Sequence, residues 1–66
     1  MDIATLADLL RETEQHHGRY EKTHGKHHWA DWYAPYLSAR LSGSSPDDAA
    51  SAADRYMSDV LQIGPR

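Results

Sequence analysis

The chain of 66 residues contains no cysteine, carries a formal net charge of −3 with histidine neutral, and is 39% hydrophobic. These values exclude a disulfide scaffold and a thiolate metal site, and they argue against nucleic acid as the main partner. No apolar run approaches the roughly 18 residues that cross a bilayer, so we expect no membrane association. We therefore expect one cytoplasmic domain that spans residues 1–66.

The first predicted helix covers residues 3–17. Asp2 can cap its first turn, and Gly18 is a typical residue to end it. Helical periodicity predicts one face that consists of Ile3, Leu6, Leu10, Thr13 and His17, with Ala7, Leu9 and Glu14 at its edges. Residues 18–26, which include two glycines, are expected to form a polar loop between the first and second helices.

The second predicted helix covers residues 27–41 and is expected to bend at Pro35, which has no backbone N–H to donate. Its aromatic residues and an adjoining aliphatic strip cover about 200° of the helical wheel, which is wider than an ordinary core stripe. Such a helix has more apolar surface than one neighbouring helix can cover. We therefore expect the protein to self-associate as a homodimer.

The third predicted helix covers residues 46–62. Ser45 is a favourable N-cap, Pro46 suits the first helical position, and Asp47 and Asp48 complement the positive end of the helix dipole. The predicted core face consists of Ala49, Ala52, Ala53, Tyr56, Met57, Val60 and Ile63. Together the three segments predict an all-α fold, a small three-helix bundle in which the alanines pack against the aromatic second helix.

Histidine is concentrated in one segment, because all five histidines lie between residues 16 and 28. Neutral imidazole is a common ligand for zinc, copper and nickel, so this segment is a candidate site for a divalent transition metal. The spacing Glu14-x-x-His17 directs two ligating side chains to one face of a helix. The candidate metal ligands are Glu14, His17, His24, His28 and Asp31. In the alternative interpretation, these histidines are solvated or hydrogen-bonded and hold no metal.

The aromatic residues of the second helix suggest a second kind of site. Aromatic rings with a nearby guanidinium can form a stacking or cation–π pocket for a small aromatic or cationic ligand. The candidate ligand-binding residues are Trp29, Trp32, Tyr33, Tyr36 and Arg40. In the alternative interpretation, these rings form the hydrophobic core, because a small domain needs large side chains.

Several short runs of the sequence resemble a group of short bacterial proteins that are often labelled bleomycin-resistance or glyoxalase-like. The matching runs are HHGxYE at 16–21, DWYAxY at 31–36, GxSP at 43–46 and DRYM at 54–57. The resemblance covers nearly the whole chain, and DWYAxY is its most specific part. It implies membership of a helical family, and the family label implies a drug-sequestering protein. The resemblance assigns no role to any individual residue.

Three functional hypotheses follow from these patterns. The first is a small binding and interaction module that self-associates and uses the aromatic helix and the histidine-rich segment. The second is a metal-binding protein with a site of histidines and carboxylates. The third, from the family label alone, is drug sequestration. An enzyme is less favoured, because no catalytic motif of high specificity occurs.

Overall fold

A computed structural model describes residues 2–25 and 27–61 of the chain. It contains three helices: α1 (Ile3–His24), α2 (Trp29–Leu41) and α3 (Pro46–Asp59). The described residues contain no β-strand. The all-α, three-helix prediction is therefore confirmed. Within the described residues, no helix combines the length and the apolar character that crossing a membrane requires.

Helix α1 is longer than the sequence predicts, and the expected loop over residues 18–26 is wrong for most of its length. The Asp2 carboxylate caps the helix by accepting a hydrogen bond from the Thr5 backbone N–H at 3.2 Å. The helix then runs through Gly18 and ends at His24. Gly25 is the C-cap, with φ of 76°, and its N–H donates to the Glu21 carbonyl. A glycine inside a helix costs about 0.5–1 kcal/mol, and the burial of Tyr20 in the next turn offsets this cost.

The buried face of α1 also differs from the predicted one. Its buried residues are Leu9, Thr13, His17 and Tyr20. Thr13 and His17 were expected there, whereas Ile3, Leu6 and Leu10 are exposed, at 88%, 44% and 41%. At 1.5 Å per residue, α1 is about 33 Å long and α2 and α3 are about 20 Å long. The shorter helices cannot cover both ends of α1, and the first buried residue of α1 is Leu9.

Helix α2 begins at Trp29 rather than at residue 27, because His28 acts as its N-cap. The His28 Nδ1 atom accepts a hydrogen bond from the Ala30 N–H at 3.2 Å. The helix continues through Pro35, as predicted, to Leu41. The bend expected at Pro35 stays a prediction.

Helix α3 starts as predicted: Pro46 is its first residue, and the Ser45 hydroxyl accepts a hydrogen bond from the Asp48 N–H at 3.2 Å. It ends at Asp59, which is earlier than the predicted residue 62. Val60 is 61% exposed, whereas Leu61 is partly buried and packs against the core. The remainder of the predicted end, including Ile63, lies outside the described residues.

The core lies mainly between α2 and α3, which contact each other more extensively than α1 contacts α2. Two aromatic rings of α2, Trp32 and Tyr36, pack with Ala49, Ala53 and Met57 of α3. The Trp32 indole N–H also donates a hydrogen bond to the Asp54 carboxylate at 3.0 Å. The predicted packing of small α3 residues against the aromatic α2 face is confirmed.

Candidate metal centre

Three potential metal ligands meet where α1 ends and the chain turns towards α2. His17 and Glu21 lie one turn apart on α1, and His27 lies in the connection to α2. One ligand atom from each side chain can be chosen so that all three lie within 4.8 Å of one another. The two Nε2 atoms of the imidazoles are 2.8 Å apart, and Glu21 Oε1 is 3.9 Å from His17 Nδ1. This histidine–glutamate cluster is compatible with a bound metal ion.

Ring packing holds His17 in place. The His17 residue is only 8% exposed, and its ring lies 5.8 Å from the Trp32 ring and 5.2 Å from the Tyr33 ring between centroids. Both aromatic residues belong to α2, so the packing of α1 on α2 fixes the position of this imidazole. A ligand held by surrounding packing is pre-organised for metal binding.

His27 is positioned by contacts to both sides of its ring. Its Nδ1 atom is 3.2 Å from the Gly25 carbonyl oxygen, and its ring packs edge-on against Tyr20 at 5.0 Å. Because a carbonyl only accepts, the contact with Gly25 assigns the proton of neutral His27 to Nδ1. The Nε2 lone pair then points towards His17. A second hydrogen bond of this kind is the usual device that orients a metal-binding imidazole.

The electrostatic surroundings favour the neutral form of His17. Burial lowers the pKa of His17 below its ordinary value of 6.5, and the nearby His27 acts in the same direction. The carboxylates of Glu21 and Glu14 oppose this shift without reversing it. Neutral imidazole is the form that binds metal ions, so the burial of His17 keeps a ligand available in mildly acidic solution.

The cluster contains only one of the five metal ligands predicted from the sequence, namely His17. The other four do not belong to the group of ligating residues found in the described part of the chain. His28 caps α2 instead, and His24 stacks on the Tyr20 ring at 4.1 Å. Glu14 and Asp31 are exposed.

Sequence reasoning missed Glu21 and His27. The spacing His17-x-x-x-Glu21 places two ligands on one face only if the helix continues through Gly18. Because the sequence predicted that the first helix ends at Gly18, His17 and Glu21 were not expected to share a helix face. His27 was assigned to the start of α2, whereas it precedes the N-cap and turns back towards α1.

The five predicted ligand-binding residues do not form one accessible surface. Trp32 and Tyr36 are 1% and 0% exposed and belong to the core. Arg40 pairs with Glu12. Trp29 is 59% exposed and meets Tyr33 edge-on at 5.0 Å. Of the predicted set, these two line an open groove of about 360 Å³ together with Leu10, Arg11 and Glu14.

A second polar network, the Glu12 network, joins α1 to α2. The Glu12 carboxylate accepts hydrogen bonds from the Tyr36 hydroxyl at 2.5 Å and from Arg40 Nε and Nη2 at 2.8 and 3.2 Å. Arg40 also donates to the Ser44 carbonyl at 2.9 Å. The Arg40 guanidinium holds the pKa of Glu12 below its ordinary value, and burial raises the pKa of Tyr36 well above its ordinary value. Each polar group of this network is thus occupied within the fold.

Comparisons with models of protein families, with curated proteins and with solved structures give no match for this chain. Function is therefore inferred from the geometry of the cluster and of the exposed surface.

Proposed function

We propose that this protein is a small helical module that binds a divalent transition-metal ion through His17, Glu21 and His27. The observation that carries the proposal is the convergence of two imidazoles and a carboxylate within 4.8 Å of one another. Two histidines and one glutamate are an established zinc ligand set in proteins. The cluster contains no thiolate, which favours zinc, nickel or cobalt over soft monovalent copper.

The distances need only a small adjustment to admit an ion. Tetrahedral zinc with bonds of about 2.0–2.1 Å holds its ligand atoms roughly 3.3 Å apart. The two Nε2 atoms, now 2.8 Å apart, would separate by about half an ångström. Glu21 Oε1 lies 3.9 Å from His17 Nδ1, so its side chain, which is 41% exposed, has to rotate to reach an ion held between the two Nε2 atoms.

The proposal is tested by titrating zinc into untagged, EDTA-treated protein and measuring the heat of binding. We expect one ion per chain. The His27→Gln variant removes one ligand and keeps a polar side chain, and we expect it to bind at least about tenfold more weakly.

His28→Asn is the matched control for this experiment. It removes the adjacent imidazole, and asparagine is itself a favourable N-cap for α2. Zinc affinity is expected to stay within about twofold of the wild type, since His28 is not one of the three ligands. Equal losses in the two variants, or no binding by the wild type, would contradict the proposal.

A second candidate function is self-association through an exposed apolar surface. Ile3, Leu6 and Leu10 follow one another about one turn apart along α1, and Trp29 lines the same groove as Leu10. We name these four residues the α1 apolar surface. Exposed apolar residues that adjoin one another are typical of interaction sites, and a second copy of a small domain is a common partner.

Sedimentation analysis over a range of protein concentrations tests this second candidate. We expect a dimer that becomes a monomer in the Leu10→Glu and Trp29→Ser variants. Val60→Ser is the matched control, because Val60, the C-cap of α3, is 61% exposed and lies outside the α1 apolar surface. A monomeric wild type at all concentrations would refute self-association. The cytoplasmic location expected from the composition stays a prediction.

A further inference from the structure

The protein offers the proposed ion fewer ligands than it needs. The cluster supplies three ligand side chains, and no fourth histidine or carboxylate of the described residues belongs to it. Zinc and cobalt take at least four ligands in proteins. Structural zinc sites fill all four positions with protein side chains, whereas sites with three protein ligands bind a water or an exchangeable ligand in the fourth.

The surroundings of the cluster differ on its two sides. On the inner side, the rings of Trp32 and Tyr33 pack against His17, which is 8% exposed. On the outer side, the Glu21 side chain is 41% exposed and His27 is half-buried. The coordination position that no protein ligand fills would therefore face the solvent.

The charge of the loaded site favours an anion at that position. Two neutral imidazoles and one carboxylate leave a divalent ion with a net positive charge. The competing ligand within the chain is Glu14, an exposed carboxylate close enough to His17 to affect its pKa. Glu14 is not a member of the cluster, so it would have to move in order to occupy the fourth position.

We propose that the ion held by His17, Glu21 and His27 keeps an exchangeable coordination position that binds a small anionic ligand, such as a carboxylate, from solution. This inference rests on the proposed function, because it needs the ion to be bound. It goes further by assigning the chemical class of the exogenous ligand and the side of the cluster from which that ligand enters.

Cobalt(II) and azide provide the test. Cobalt(II) has visible absorption bands that respond to its ligands, and azide is a small anion that coordinates it. We expect cobalt(II) to give a one-to-one spectrum with the full chain, and azide to change that spectrum in a saturable way. The His28→Asn variant is expected to behave as the wild type, and His27→Gln is expected to need at least about tenfold more cobalt to give the same spectrum.

The Glu14→Gln variant tests whether the fourth coordination position of the ion is open or is occupied by Glu14. We expect the variant to bind azide several-fold more tightly than the wild type, because a neighbouring negative charge is removed. An azide response in Glu14→Gln but none in the wild type would show that Glu14 is the fourth ligand and would overturn the inference. No response in either chain would overturn it as well.

The proposed function and this inference fail in different ways. If cobalt(II) and zinc do not bind the wild type, the proposed function fails and the inference falls with it. If they bind one-to-one and azide leaves the cobalt spectrum unchanged, the proposed function stands and the inference is wrong.

Discussion

Two polar networks join α1 to the segments that follow it, and they differ in how fully their groups are used. In the Glu12 network, one carboxylate accepts three hydrogen bonds, and Arg40 has a further acceptor in Ser44. In the histidine–glutamate cluster, His17 and His27 make a single hydrogen bond to each other, and Glu21 stands 3.9 Å from His17. The first network is saturated, and the second retains unused lone pairs.

This difference indicates a structural role for the Glu12 network and a binding role for the histidine–glutamate cluster. A partly buried charged network stabilises a fold only when its members satisfy one another, as Glu12, Tyr36 and Arg40 do. In the cluster, two imidazoles and a carboxylate converge with only one hydrogen bond between the rings, so a cation can take the place of the proton between the two Nε2 atoms. We therefore expect mutations in the Glu12 network to lower the stability of the fold, and mutations in the cluster to weaken ligand binding.

The largest expected effect is the loss of the Glu12 network. Glu12→Ala removes the acceptor of Tyr36 and the ion-pair partner of Arg40, and we expect the free energy of unfolding to fall by about 3 kcal/mol. Urea denaturation followed by tryptophan fluorescence measures this change. Asp8→Ala is the control, since Asp8 and Arg11 form an ion pair whose side chains are 78% and 75% exposed. The control is expected to change stability by less than about 0.5 kcal/mol. Equal effects would show that the Glu12 network does not hold α1 to α2.

Zinc is expected to produce a stabilisation of similar size at the cluster. At a free concentration one hundred times the dissociation constant, a ligand specific for the folded state adds about 2.7 kcal/mol. For a domain of this size, that corresponds to a rise in melting temperature of roughly 10 °C or more. Thermal denaturation with and without zinc measures the rise, which His27→Gln should reduce by about half or more and Glu12→Gln should retain. A rise of the same size in His27→Gln would place the ion elsewhere.

A smaller effect is expected from pH in the metal-free protein. The pKa of His17 in the fold lies below its ordinary value of 6.5 because of burial. As pH falls below 6.5, the unfolded chain takes up the proton first, so the contribution of His17 to stability is complete above that pH and declines below it. Urea denaturation between pH 5 and 8, with EDTA present, measures the decline. The slope should be shallower in His17→Gln, and identical slopes would contradict the buried, neutral imidazole.

The smallest expected effect tests whether α1 is continuous. A Cβ built at Gly18 meets no atom of the described residues within 4 Å, and the residue lies inside α1. Gly18→Ala should therefore raise the free energy of unfolding by about 0.5–1 kcal/mol, because alanine is the better helix former. Urea denaturation measures this gain. A loss of stability would mean that the helix ends near Gly18, as the sequence predicted, and would separate Glu21 from His17.

Part of the fold was predictable because its signals are local. Ser45 and Pro46 predict the start of α3 through capping and a fixed backbone angle, and both act there as expected. Of the predicted core face of α3, Ala49, Ala53 and Met57 are buried as expected, whereas the prediction is wrong for Tyr56 and Val60, which are 38% and 61% exposed. Asp2 likewise predicts the start of α1. For both helix starts, the decisive interaction lies within four residues along the chain.

The candidate site was mostly not predictable, because two of its three members depend on distant contacts. Gly18 carries a local preference for a helix end, and the burial of Tyr20 against other elements outweighs it. His27 and His28 are adjacent and identical in type, yet one faces His17 and the other caps α2. Only the path of the chain after Gly25 distinguishes them.

By itself, the sequence determined the number and kind of the helices, the start of each to within two residues, and the aromatic and alanine composition of the core. Capping groups, periodicity and the absence of cysteine are sufficient for these features, since each acts locally or through composition. The tertiary structure decided which face of α1 is buried, which carboxylate joins His17, and which aromatic rings stay exposed. These outcomes depend on how far the shorter α2 and α3 extend along α1. A local sequence pattern does not predict that packing.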